Sequence, residues 1–254
     1  MRHESITHGT RAAALALLLV SRGGQGASEG AVPPTGDVRV SVTVLGADRR
    51  PLPAAQAVVW IPAAAAKVRP GGASDSPGSP AAARTATPAA PRIASKSKRF
   101  DPRITAVPAG TTVEFPNLDG IFHNVFSLSP GAKFDLGLYR NGASRSMTFD
   151  TAGLVRVYCN IHPQMAAFLL VIDGTIWAQT GADGGAVLNH VPAGRASVRA
   201  WDEKGGEYQG TVDVVAGKTV TLAIALDGSD FHDAPHTNKY GKKYPPPDDD
   251  ANRY

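Results

Sequence analysis

Only one cysteine, Cys159, occurs in 254 residues. A disulfide framework is therefore excluded, and an odd thiol in a chain with export features calls for a use of its own, metal ligation among them. Long apolar runs are lacking too. The run Ala12-Ala13-Ala14-Leu15-Ala16-Leu17-Leu18-Leu19-Val20 is too short to span a bilayer, and no later segment is long and apolar enough to do so. Helix-period stretches are scarce outside it. Gly (27) and Pro (20) are frequent instead, and short Val-, Thr- and Phe-rich runs recur between turn residues, which predicts an all-β chain of sandwich type. Charge of one sign is not in large excess: 26 Lys and Arg stand against 22 Asp and Glu, a formal +4, so basicity is no argument for nucleic acid.

Arg2 and Arg11 precede that apolar run, and Gly23, Gly24, Gly26 and Ala27 follow it, so residues 1–27 read as a secretory signal for export to the periplasm. Residues 37–62 hold two strand-like runs, Val38 to Val44, with valine on one face, and Ala57 to Ile61. Two strands alone bury no core, so they need a partner elsewhere. Residues 63–98 are rich in Ala, Pro, Ser and Gly and carry Lys67, Arg69, Arg84, Arg92, Lys96 and Lys98 against Asp75. This composition predicts a flexible linker, and its charge offers a dock for an acidic redox partner.

The chemistry concentrates in Val157-Tyr158-Cys159-Asn160-Ile161-His162-Pro163-Gln164-Met165. One thiolate, one imidazole and one thioether share a loop with the spacing Cys-x2-His-x2-Met, donors that favour copper over magnesium or calcium. Val155, Val157 and Cys159 alternate with Arg156 and Tyr158, the pattern of a half-buried strand with Cys159 pointing inward. Upstream, His123 lies in the apolar run Gly120 to Phe126, which reads as another strand. Two imidazoles and a thiolate with a long axial Met are the ligand set of blue-copper electron-transfer sites. His123, Cys159, His162 and Met165 supply that set for one type 1 copper ion.

With these residues in view, the stretch from Phe100 to Ile172 resembles the cupredoxins, the plastocyanin and azurin family, and its ligand spacing with Pro163 after His162 resembles amicyanin most. The resemblance implies a Greek-key copper domain over 99–172, with Asn124 hydrogen-bonding near the thiolate. Ile161 before His162, and Pro163, Ala166 and Ala167 after it, predict that the edge of its ring reaches the surface through a small apolar patch. Ser129 to Tyr139 reads as a connection, Arg145 to Phe149 as a strand with Met147 in the core, and Phe168 to Ile172 as a central buried strand. Residues 173–227 carry Thr180-Gly181-Ala182-Asp183-Gly184, Pro192-Ala193-Gly194 and Val198-Arg199-Ala200-Trp201. These resemble the second half of a carboxypeptidase regulatory-like, transthyretin-like sandwich, whose first half residues 37–62 would supply. The copper domain would then be inserted in it, or the two would stand in tandem. The combination resembles exported plastocyanin-like proteins labelled methylamine utilisation proteins.

His190 beside Val191-Pro192 reads as a surface turn residue, and residues 228–254 as a disordered polar tail in which His232 and His236 are weak metal candidates. A four-ligand cage leaves little open coordination for substrate, so the chain is not expected to be an enzyme. It is expected to be a monomer that carries single electrons between a redox donor and acceptor. Copper sequestration or delivery, and a non-redox carbohydrate- or peptide-binding module, are the alternatives.

Overall fold

A computed structural model describes residues 33–63, 90–232 and 236–244. The predicted signal, most of the low-complexity stretch and the final Pro- and Asp-rich residues lie outside the described residues. The first strands are Thr35–Leu45 (β1), Pro51–Pro53 (β2) and Val58–Ile61 (β3). Next come Ala94–Lys96 (β4), Arg99–Asp101 (β5), Ile104–Pro108 (β6), Thr111–Pro116 (β7), His123–Ser129 (β8), Ala132–Tyr139 (β9), Ser144–Phe149 (β10), Gly153–Tyr158 (β11) and Ala166–Ile172 (β12). Ile176–Gln179 (β13), Gly185–Pro192 (β14), Gly194–Asp202 (β15), Gly206–Val214 (β16) and Thr219–Asp227 (β17) complete the series. No helix occurs among the described residues, in keeping with the all-β expectation.

Strands β6-β12-β11-β8-β9 form one sheet, and β7 with β10 form a smaller one facing it. Between them lies a core of Phe115, Phe149, Val113, Val155, Val157, Leu169, Val171, Cys159 and Met165. The second sandwich is made of β14-β1-β17, with β2 also on β1, and of β13-β3-β15-β16. Its core is drawn from the inward faces of both sheets: Val38, Val40, Val42 and Val44 on β1, with Val59, Leu188, Val198, Ala200, Ile224 and Leu226. β1 thus pairs with β14 and in parallel with β17, and β3 lies between β13 and β15.

A third apolar layer joins the sandwiches: Val58, Trp60 and Trp201 meet Ile104, Ala106, Leu170 and Ile172. This explains the continuous apolar runs. On β12, Leu169 and Val171 enter the first core while Leu170 and Ile172 enter the joint. On β3, Val59 faces the second core and Val58 and Trp60 the joint. A strand covered on both faces loses the alternation that marks a half-exposed one. Trp60 keeps its one polar atom satisfied by donating Nε1–H to Asp173 at 2.9 Å.

The structure corrects four expectations. The linker assigned to 63–98 ends earlier, because Ile93 and Ala94 are buried in the first sandwich and β4 pairs with β5. Ile93 docks this stretch together with backbone hydrogen bonds between Pro91, Ile93 and Ser95 and the residues Glu114 and Leu118, a pairing that composition does not reveal. The connection Ser129–Tyr139 is a hairpin instead: after a turn with Gly131 at φ +77°, β9 pairs back on β8. Its Ala132, Phe134 and Leu136 alternation was masked by the Pro and Gly signals around it. His190 is exposed within β14 rather than in a turn, at a bulge where it takes φ +57° and its N–H donates to Asp37. The tail is the fourth: residues 236–244 are seated against β8, β9 and the end of β11 by hydrogen bonds and ring contacts to Asp135, Tyr158, Cys159 and Asn160. Polar composition hid the anchoring power of His236, Lys239 and Tyr244.

Candidate metal centre

β8 and β11 are antiparallel, so the start of β8 and the end of β11 open at the same end of the sheet. His123 is the first residue of β8, and Cys159 follows the last residue of β11. The loop between β11 and β12 then closes on itself: Cys159 N–H donates to the Met165 carbonyl at 3.3 Å, and Met165 N–H to the His162 carbonyl at 3.1 Å. This turns His162 back toward Cys159 and brings Met165 beside it. Met165, His123 and Cys159 are all fully buried, while His162 is half-buried.

Three of the four predicted donors converge. Nδ1 of His123 lies 3.1 Å from Nδ1 of His162, and the Cys159 sulfur lies 4.0 Å and 3.6 Å from them. Metal–nitrogen bonds of about 2.0 Å and metal–sulfur bonds of about 2.3 Å to one ion give donor separations of this size, so the triangle fits a single metal ion. Among the described residues this is the one group of three such donors, and neither His232 nor His236 belongs to it. Met165 shares the buried cluster with Cys159.

Each imidazole presents the nitrogen a metal needs. Nε2 of His123 is 2.8 Å from the Asp119 carboxylate, which assigns the ring proton to Nε2 and leaves Nδ1 as the lone-pair donor. Burial works against charge on Asp119, but backbone N–H groups of Lys98 and Ser97 and the side chain of His123 outweigh it and hold its pKa below the ordinary value. Those N–H groups come from the β4–β5 turn, where Ser97 and Lys98 both sit in the left-handed region at φ 54° and 53°. Such a turn disfavours residues other than Gly or Asn, and the carboxylate that accepts both amides stabilises it while it orients His123. Asn117, fully buried, fixes the loop carrying Asp119: its Nδ2 donates to the Ile121 and Tyr139 carbonyls and its Oδ1 accepts from Asp119 N–H.

His162 is neutral under ordinary conditions, because burial and the neighbouring His123 and Lys98 lower its pKa to about 4. Burial pushes the Cys159 thiol up from its ordinary value, although the N–H groups of Asn124, Ile161 and His162 point at the sulfur and favour the thiolate. A metal that takes the proton's place resolves that conflict. The Asn124 expectation is met in part by its backbone; its side-chain Nδ2 donates instead to Asp135 at 2.7 Å.

Asp119 and the Ser97–Lys98 turn were missed from sequence. An Asp four residues before the histidine was readable only as a turn former, because its partner is set by tertiary contact. The apolar patch also needs correction. Ala167 is fully buried and faces the core, pairing with Val157, whereas Pro163 is exposed and Ile161 and Ala166 are half-buried. Leu118 and Phe122, 52 % and 42 % exposed on the loop before His123, lie at the same end of the sheet.

No family model matches the chain, and no curated protein matches its sequence. Among solved structures, a Cu(I) form of an amicyanin mutant aligns at 21 % identity over 34 % of this chain and 85 % of its own, with a TM-score of 0.32. A reduced amicyanin mutant aligns at 22 % identity over the same shares, with a TM-score of 0.31. A Cu-containing nitrite reductase from Thermus scotoductus SA-01 aligns at 23 % identity over 38 % of this chain and 25 % of its own, with a TM-score of 0.34. No helix among the described residues is long and apolar enough to cross a membrane.

Proposed function

We propose that this protein is a blue-copper carrier of single electrons in the periplasm, in which His123, Cys159 and His162 would hold the ion strongly and Met165 would be the weak fourth ligand. The observation that carries this reading is the triangle of His123 Nδ1, His162 Nδ1 and Cys159 sulfur, closed at 3.1 to 4.0 Å. Bound copper supplies one-electron chemistry by cycling between Cu(I) and Cu(II). The chain's own residues do the rest. Asp119 holds the His123 ring, the amides of Asn124, Ile161 and His162 stabilise negative charge on sulfur, and the packed cluster around Met165 keeps water out. A rigid, dry ligand cage changes little between oxidation states, which suits transfer rather than catalysis. Full burial of Cys159 and His123 favours retention of the ion over delivery to another protein.

His162 is the ligand nearest to solvent, and Ile161, Pro163, Leu118 and Phe122 give its end of the sheet an apolar surface. Small apolar surfaces support brief encounters with a donor and an acceptor, as electron carriers require.

Absorption spectroscopy tests the reading. The copper-loaded protein is expected to be intensely blue from thiolate-to-copper charge transfer, and Cys159→Ser to lose the colour while keeping its β-sheet signal. A colourless wild type with copper bound overturns the assignment.

A further inference from the structure

Residues 236–244 lie against the outside of the ligand loop, and their arrangement is more than a docked tail. At their centre is a turn closed on itself: Asn238 Oδ1 accepts from the N–H groups of Tyr240 and Lys242 at 3.0 Å each, and Asn238 N–H donates to the Lys242 carbonyl at 2.9 Å. Polar links run from this segment to the residues that bracket the cysteine sulfur. The Tyr244 hydroxyl donates to the Cys159 carbonyl at 2.7 Å. The Lys239 N–H donates to Asn160 Oδ1 at 3.0 Å. On the other side of the sulfur, the Lys239 ammonium pairs with Asp135 at 2.6 Å, and Asp135 accepts from Asn124, whose own N–H points at the sulfur. The His236 ring stacks on Tyr158 with centroids 3.9 Å apart and planes 11° from parallel, and its Nε2 meets the Tyr244 hydroxyl at 3.1 Å.

A segment held only by apolar burial would turn its large side chains inward. Here Tyr240 is left 70 % exposed, while the polar groups converge on Cys159, Asn160 and Asp135. The Cys159 carbonyl belongs to the first peptide of the loop that carries His162 and Met165, so holding it fixes where that loop leaves β11. We propose that residues 236–244 are a positioning strap for the metal centre, which restrains the Cys159–Asn160 peptide and Asp135 and thereby sets how readily the ligand loop opens. The control of metal release that follows from this rests on the copper reading above. The restraint on the loop does not.

The test uses the full-length protein. In its metal-free form, amide hydrogen exchange at Ile161 and His162 is compared between wild type, Tyr244→Phe and Tyr244→Phe/Lys239→Ala. Loss of the Tyr244 hydrogen bond is expected to speed exchange there about fivefold, the equivalent of about 1 kcal/mol, with a larger factor in the double variant. Amides of β14 to β17 should speed by no more than that factor, and the unfolding midpoint should fall only by the amount the factor implies, since the bond is lost from the native state itself. In the copper-loaded protein, transfer of Cu(I) to an excess of chelator should accelerate by a similar factor. Unchanged exchange at both amides in both variants overturns the strap, as does loss of the whole fold in Tyr244→Phe, since the effect would then not be local to the loop. Faster exchange in a protein that binds no copper upholds the strap and overturns the carrier reading alone.

Discussion

The buried side chains of the second sandwich are mostly aliphatic, from Val38, Val40 and Val42 to Leu188, Ile224 and Leu226, with Thr180 and Asp202 as its buried polar residues. Those of the first include Phe115, Phe149, Met165 and Cys159, together with the buried polar residues Ser95, Asn117, His123, Asn124, Ser127 and Ser129. The two are built from the same kind of strand yet solve different problems. An aliphatic core needs only the right volume, since its side chains carry no polar atoms to satisfy. A core that holds donors for a metal must also give each polar group a partner, because an unpaired one costs about 1–3 kcal/mol. Among the described residues, the buried side-chain atoms without a partner are Ser95 Oγ, Thr105 Oγ1 and Asn124 Oδ1, and all three belong to strands or turns of the first sandwich. Six of the eight buried polar residues among the described residues lie in the half that carries the candidate metal centre.

The largest expected effect that separates the halves is topological. β1 and β3 occupy interior positions in their sheets, so a truncated chain beginning at Arg92 should lose the cooperative unfolding of residues 173–227 while the core around Cys159 survives. Calorimetry decides this. A second full transition in the truncated chain would mean that residues 173–227 fold alone.

A smaller effect separates volume from chemistry. Leu188→Ala in the second core is expected to destabilise by about 2–5 kcal/mol, the range for truncating a buried leucine. Met165→Leu in the first should cost less than about 1.5 kcal/mol, because volume is conserved, and yet shift the blue absorption and the reduction potential. Denaturant melts and spectra of both variants check the pair. Equal destabilisation with an unchanged spectrum would erase the contrast.

The smallest effect is a pH dependence confined to the first sandwich. His162 has its pKa lowered from 6.5 to about 4, so below 6.5 the unfolded chain binds a proton that the native one refuses. The contribution of His162 to the stability of the metal-free protein should therefore be fully present above 6.5 and decline as pH falls toward about 4. Denaturant midpoints at several pH values test this, and His162→Gln should flatten the slope.

Much of the first sandwich is readable residue by residue. The alternation Val155, Val157, Cys159 shows as the inward face of β11, and the run Phe168 to Ile172 lies in the interior strand β12. The donor spacing in the Cys159 loop reflects a local fact, that a short turn can bring a residue three positions on back toward its starting point. β9 was hidden because Pro130, Gly131 and Gly137 outweighed its alternation, and the tail because polar composition says nothing of a specific stack or hydroxyl. Asp119 was legible as a turn residue and no further.

What the sequence by itself determined are the properties that depend on neighbours along the chain: the all-β class, the inward faces of the strands, and the identity and spacing of Cys159, His162 and Met165. The tertiary structure alone decided which nitrogen of His123 faces the sulfur, since that follows from Asp119 and from the Ser97–Lys98 turn. It alone set the 3.1 Å approach of His123 to His162 across 39 residues, and the placement of Tyr244 on the carbonyl of Cys159, 85 residues earlier. Local periodicity reflects backbone geometry, which every stretch of chain carries within itself. A tautomer or a clamp depends on groups that meet only after the sheets have packed.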